Sequence, residues 1–267
     1  MTRTQKFYFN LINCVLDVAE KLVADCSWGK HISFGLKPGS KFNPVSEYDK
    51  VIEMGLRDAL RLLAPNVDIY GEECGSVAMG LANVLFVDPI DGTKAFVSGS
   101  HVWGTILGLS KLGNIVLGAV NYPMLGERLI SLGGSTYCRI GSSSSFMSLK
   151  PRCLVNKHIS RCIVATSSAS VMTSDELARF TRLETKVMHT IHCYDCYAYA
   201  LLAKGCIDAV IECHFKPYDF VGLVPILKGA GCLITDWSGN ETSYDERIVA
   251  SRSPKLQDCL LAAINNC

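Results

Sequence analysis

The stretch Val87-Asp88-Pro89-Ile90-Asp91-Gly92-Thr93-Lys94 constrains this chain more than any other. An apolar run from Asn83 to Val87 leads into it and reads as a buried strand. Two carboxylates follow, three residues apart, around a proline that stiffens the turn expected there. Gly92 and Thr93 then let the backbone pass into a helix with its N–H groups pointing outward. Hard oxygen ligands beside an amide-lined helix start suit a divalent cation and a phosphate together. Read alone, the same residues also describe a plain strand–turn–helix junction with aspartate as turn former and N-cap.

Two further acidic segments lie on either side. Ile69-Tyr70-Gly71-Glu72-Glu73-Cys74 ends an apolar run on two acids. Lys216-Pro217-Tyr218-Asp219-Phe220-Val221-Gly222 places an acid at the opening of a helix expected from Asp219 to Lys228, despite Pro225. Earlier, a loop is expected over Phe34 to Pro44, with lysines that attract phosphate. Ser46 reads as the N-cap of the helix that follows, with Asp49 in its first turn, and Val51, Ile52, Leu56, Leu60 and Leu63 on its apolar face.

At 267 residues, 49% hydrophobic and 19% charged, the chain has the make-up of an ordinary soluble globular protein with a substantial core. A formal net charge of +1 argues against a broad nucleic-acid or membrane surface. No apolar run approaches the roughly 20 residues that cross a bilayer. The apolar N-terminal stretch is interrupted by Asn10, Asn13, Asp17 and Glu20. It reads as a helix with Phe7, Leu11, Val15, Val18 and Leu22 on one side rather than as a signal peptide. A cytoplasmic protein is therefore expected. Thirteen scattered cysteines suit reduced, mostly buried thiols. Cys193 and Cys196 have C-x-x-C spacing, but a zinc site would need two further ligands, for which Cys213 and His214 are the available pair.

From Val102 to Ile140 the sequence turns to β-rich runs separated at hairpin length by Lys111-Leu112-Gly113-Asn114 and Met124-Leu125-Gly126-Glu127, an antiparallel meander. Gly141-Ser142-Ser143-Ser144-Ser145 is the best subdomain boundary, which divides one catalytic unit, 1–267, into 1–145 and 146–267. Beyond it strands and helices alternate, with a capping box at Thr173-Ser174-Asp175-Glu176 and a last helix from Pro254.

The three acidic segments together resemble the inositol monophosphatase superfamily, with its GEE, DPIDGT and aromatic–aspartate signature, over nearly the whole chain. The resemblance implies a layered α-β-α-β-α sandwich of the inositol monophosphatase and fructose-1,6-bisphosphatase type. It also implies a Mg2+-dependent phosphomonoesterase that commonly forms homodimers. Carried over residue by residue, one ion falls to Glu72, Asp88 and the Ile90 carbonyl, and a second to Asp88, Asp91 and Asp219, with a weaker third beside Glu72. Glu72 and the Thr93 hydroxyl, supported by Asp49, orient the attacking water. The N–H groups of Gly92 and Thr93 hold the phosphate.

Asp195 and Glu212 are the expected substrate contacts; their plainer readings are an N-cap and a surface strand-end acid. Asp91 through Gly99, the run from Asp195 to Ala203 and Lys216-Pro217-Tyr218-Asp219 look most like the histidinol-phosphatase branch, and extra acids at Asp195 and Glu212 suit the cationic substrate that this resemblance implies. Cys193 and Tyr194 stand where that branch has two glycines. L-histidinol phosphate, and with it a place in histidine biosynthesis, is the favoured substrate reading. Inositol 1-phosphate and a broader range of sugar or nucleotide phosphates are the alternatives, and a non-catalytic scaffold of the same fold is the reading from another class.

Overall fold

The computed structural model describes residues 1–24, 32–37, 44–75, 83–141, 145–149, 158–242 and 246–265. Lys41 and most of the serine run fall outside them. Two helices, α1 (Arg3–Ala24) and α2 (Glu47–Leu63), form the outermost layer. The buried face of α1 is Leu11, Ile12, Val15, Leu16, Ala19 and Val23. That stripe is rotated from the expected one: Phe7 is exposed, while Val18 and Leu22 are only half-buried because they turn toward α2 at Gly55. On α2 the same happens, with Val51 and Leu63 exposed and two acids, Asp49 and Glu53, fully buried on the core side.

The expected loop before α2 holds a small antiparallel ribbon, β1 (Phe34–Leu36) with β2 (Pro44–Ser46). Under the two helices lies a seven-stranded sheet: β3 (Asp68–Gly71), β4 (Asn83–Asp91), β5 (Gly104–Lys111), β6 (Asn114–Tyr122), β7 (Glu127–Leu132), β8 (Ser135–Ile140) and β9 (Met147–Leu149), paired in that order. Its β3–β4 pair is parallel and the rest antiparallel, so the expected meander is present. Residues in β5 to β7 are buried on both faces, which explains why these strands read as continuous apolar runs rather than as alternating ones.

The second sheet has the order β11 (His189–His192), β10 (Ile163–Thr166), β12 (Ala209–Cys213), β14 (Arg247–Ser251) and β13 (Leu233–Asp236). Between the sheets lie α5 (Tyr197–Lys204), α6 (Pro217–Phe220) and α7 (Leu223–Gly229); α3 (Thr93–Val97) packs through Phe96 into the core shared with α1 and α2, and α4 (Ser174–Glu184) and α8 (Pro254–Asn265) cover the far face. The five layers are those of the expected sandwich. The ends of β4, β10, β11 and β12 and the α6 helix line one cavity, which is where the acids meet.

The single helix expected from Asp219 to Lys228 is two. Pro225 has no N–H to return to the Val221 carbonyl, so the helical ladder lapses between α6 and α7. The break is pressed against the large sheet. A Cβ on Gly108 would sit 2.6 Å from the Gly222 nitrogen, and one on Gly118 would run into the Gly222 carbonyl oxygen. Gly118→Ala is therefore expected to cost about 1–3 kcal/mol or more by overpacking, read as a lower urea midpoint. A variant as stable as the parent would show that the crossing can open.

Candidate active site

Asp88 and Asp91 lie within β4, not in a turn beyond it. Pro89 cannot donate to the ladder, and the pairing jumps from Asp88 opposite Ile106 to Asp91 opposite Gly104. One extra residue on β4 makes this a bulge. In a regular strand two residues three apart point to opposite faces. The bulge adds a step, so both carboxylates turn into one cavity. Thr105, skipped by the pairing, donates its hydroxyl to the Pro89 carbonyl at 2.8 Å and satisfies the bulged backbone. Gly92 then takes a φ of 86°, open mainly to glycine, and starts α3; its missing Cβ also leaves Asp195 room, because a Cβ there would lie 3.0 Å from Asp195 Oδ2.

Glu72 follows β3, where its N–H donates to the Val87 carbonyl and extends the ladder. Its position depends on a residue that sequence reasoning missed. The Glu53 carboxylate, buried on α2, accepts from the Glu73 and Cys74 amides at 2.7 and 3.2 Å and from Arg57 at 2.7 Å. Glu53 lies four residues after Asp49, one helical turn on, and that spacing was the only available signal. Lys37, one of the loop lysines expected to attract phosphate, bridges Glu72 at 2.6 Å and Glu73 at 2.5 Å. Burial alone would lower the Lys37 pKa, but the two acids hold it above its ordinary value.

Asp49 accepts from both the N–H and the hydroxyl of Ser46, at 2.7 and 2.6 Å, so Ser46 stands at the N-cap of α2 with its own donors taken by the first-turn acid. Its other oxygen faces the Thr93 hydroxyl at 3.2 Å, and the same hydroxyl is 3.0 Å from the Ile90 carbonyl. Asp219, in α6, is fixed by the Lys216 N–H at 2.9 Å.

A cavity of about 450 Å³ collects Glu72, Asp88, Ile90, Asp91, Gly92, Thr93, Asp219, Asp195 and Glu212 in its wall. Asp195 is not an N-cap: Cys196 occupies that place on α5, and Asp195 adopts φ 40° beside Gly92. The Cys196 amide donates to Asp91 at 3.3 Å, while its carbonyl accepts from the buried Tyr122 hydroxyl at 2.9 Å. Glu212 is buried rather than at the surface and accepts from the Ser167 N–H and hydroxyl. Lys94, also unforeseen, lines the cavity and brings positive charge to Asp195.

The electrostatics follow from crowding acids where water is scarce. Burial, then repulsion from Glu72, Asp91 and Asp219, pushes Asp88 well up, and burial with Asp195 and Asp219 does the same to Asp91. Burial raises Asp219 to about 7, Asp49 and Asp195 to about 6 and Glu212 to about 8. Asp88 Oδ1 is buried with no hydrogen-bond partner. An all-oxygen donor set with an orphaned carboxylate oxygen and unbalanced negative charge fits hard divalent cations. Among the described residues no three of these carboxylates bring oxygens within 4.8 Å of one another. That spread suits ions that retain part of their water shell.

Known proteins resemble this chain over most of its length. The family model described as the inositol monophosphatase family matches residues 9–267. The chloroplastic bifunctional phosphatase IMPL2 of Arabidopsis thaliana is 36% identical over 214 residues, 79% of this chain and 60% of that protein, so the match leaves much of the longer relative uncovered. A histidinol-phosphatase of Chlorobaculum parvum is 26% identical over 234 residues, 84% of each chain. Among solved structures, an inositol monophosphatase from Zymomonas mobilis superposes with a TM-score of 0.81 at 26% identity, covering 98% of this chain and 99% of that one.

Proposed function

The chain belongs to the inositol monophosphatase family of metal-dependent phosphoric monoester hydrolases, and from that premise we propose that it cleaves a small phosphate monoester, with L-histidinol phosphate preferred. The observation that carries the reading is the convergence of six buried or half-buried carboxylates, from both halves of the chain, on one cavity.

In this reading Glu72, Asp88 and the Ile90 carbonyl would hold one Mg2+, Asp88, Asp91 and Asp219 would hold a second, and Glu72 would border a weaker third. Bound divalent cations offset the charge of the ester and acidify water. The single Thr93 proton goes to one of the two acceptors within reach, the Asp49 carboxylate or the Ile90 carbonyl, which leaves the hydroxyl lone pairs to accept from the attacking water. Glu72 accepts the other proton of that water and so aims its oxygen at phosphorus. The N–H groups of Gly92 and Thr93 donate to the phosphate oxygens. Asp49, held by Ser46, acts through Thr93 rather than on the substrate.

Asp195 and Glu212 form the substrate side. Two carboxylates beyond the phosphate corner favour an organic group that carries an ammonium or imidazolium, and a histidinol-phosphatase is among the relatives. The structural likeness to an inositol monophosphatase favours the second reading, inositol 1-phosphate, in which the same acids accept from hydroxyls. A panel of phosphate esters at fixed Mg2+ tests the choice. A higher kcat/KM for histidinol phosphate is expected, and Asp195→Asn should lower it by about 10–100-fold, the worth of one hydrogen bond to a charged group, while moving inositol 1-phosphate less. The reverse order would replace the substrate and leave the mechanism standing. No helix among the described residues is long and apolar enough to cross a membrane.

A further inference from the structure

The pair Cys213-His214 takes no part in the chemistry proposed above, although both residues line the same cavity. The C-x-x-C cysteines, Cys193 and Cys196, are not among the groups they meet. β12 ends at Cys213, and the chain turns through His214 at φ 66°, which brings the imidazole onto a buried acid of the outer layer. His214 Nε2 lies 2.9 Å from Glu176 Oε2. Glu176 is the capping-box residue of α4: the same oxygen accepts from the Thr173 N–H and hydroxyl at 2.8 and 2.9 Å, and Oε1 accepts from Arg247 Nε at 2.6 Å. A Cys213 sulfur, a His214 ring nitrogen and a Glu176 oxygen lie within 4.8 Å of one another, and among the described residues no other group of three such ligands is as tight.

We propose that Glu176, Cys213 and His214 form a binding site for a borderline-soft divalent cation of the zinc class, separate from the oxygen cluster of Asp88, Asp91 and Asp219. Sulfur, nitrogen and one carboxylate oxygen are the ligand types zinc takes in four-coordinate sites, and the fourth position falls to water on the cavity side. Magnesium is disfavoured there because a thiolate is a poor ligand for a hard ion. One thiolate and one carboxylate offset the dication, and the Arg247 guanidinium on the far oxygen of Glu176 leaves the bound site one positive charge in excess.

On binding, the Cys213 S–H bond breaks, its proton leaves to solvent and a sulfur–metal bond forms. The His214 proton moves from Nε2 to Nδ1, so one proton is released per ion. Burial pushes the free thiol up to about 12, and Arg247 opposes that rise. The sulfur therefore keeps its proton until an ion replaces it. Cys213 and His214 line the same cavity as Glu212, so an ion held there is expected to narrow it and to inhibit ester hydrolysis.

Cobalt(II) titrated into the full chain under excess Mg2+ tests the site without any turnover. The expected result is a near-ultraviolet thiolate-to-cobalt charge-transfer band that saturates near one equivalent. Cys213→Ser should abolish it, and His214→Ala should weaken apparent affinity on the order of 10- to 100-fold or more, at least the loss seen when the partner of a metal ligand is removed. Asp91→Asn should leave it unchanged, with circular dichroism checking that each variant is folded. No band, a band that survives in Cys213→Ser, or one lost in Asp91→Asn would overturn the assignment. An enzyme inactive on every ester would fail the proposed function and leave this readout untouched.

Discussion

Asp91→Asn is expected to lower Mg2+-dependent phosphate release by about a thousandfold or more, roughly 4 kcal/mol of transition-state stabilisation, in a protein that stays folded. The fold survives because the carboxylate contributes little to it. Asp91 accepts one long hydrogen bond, from Cys196 at 3.3 Å, and is otherwise repelled by Asp195, Asp219 and Glu72. An amide keeps the volume and removes the repulsion, so the metal-free variant should melt at or above the parent temperature. Function is lost because the amide no longer carries the charge proposed to hold a cation between Asp88 and Asp219. Activity within tenfold of the parent, measured across a Mg2+ titration, would remove Asp91 from the metal set. A variant that is inactive because it is unfolded would show that the aspartate is structural.

The metal-free protein is expected to lose stability as pH rises from about 5 to 8, and Mg2+ should restore it. Asp49 and Asp195 are raised to about 6, Asp219 to about 7 and Glu212 to about 8, above ordinary carboxylate values near 4. Through that window the folded state binds more protons than the unfolded one. The slope of unfolding free energy with pH is then negative, so stability falls as pH rises. A cation that binds only the folded state adds RT ln(1 + [L]/Kd), about 2.7 kcal/mol at a hundredfold excess over Kd, which for a chain of this size is about 5–10 °C. Melting curves in a chelator and in Mg2+, at pH 5 and pH 8, check both halves. A metal-free melting temperature that climbs from pH 5 to 8, or a Mg2+ effect no larger at pH 8 than at pH 5, would contradict the crowded-acid account.

Much of this was readable along the chain because it depends on neighbours in sequence. The strand into Asp88, the hairpins at Leu112-Gly113 and Leu125-Gly126, and the capping box at Thr173 and Glu176 are decided by backbone freedom and by hydrogen bonds spanning three or four residues. Where such local rules were read too simply, the structure departs from them. Pro89 makes a bulge rather than a turn because Thr105 is there to take the carbonyl that the bulge exposes. The helix around Asp219 lapses at Val221 and Gly222, where Gly108 and Gly118 admit its backbone. Among the ten described cysteines, all free, five are exposed, fewer buried thiols than their scatter through the expected strands and helices suggested.

Sequence alone determined which atoms are on offer: oxygen donors at Glu72, Asp88, Asp91 and Asp219, amides at Gly92 and Thr93, and acids at Asp195 and Glu212. Tertiary structure decided how far apart they stand, which are dry and what braces them. Glu53 under the Glu72 loop, Lys37 across it, Tyr122 behind Cys196 and Glu176 against His214 all join residues distant in the chain. Burial and charge–charge energies depend on distance and on excluded water, and neither exists until separate segments have packed.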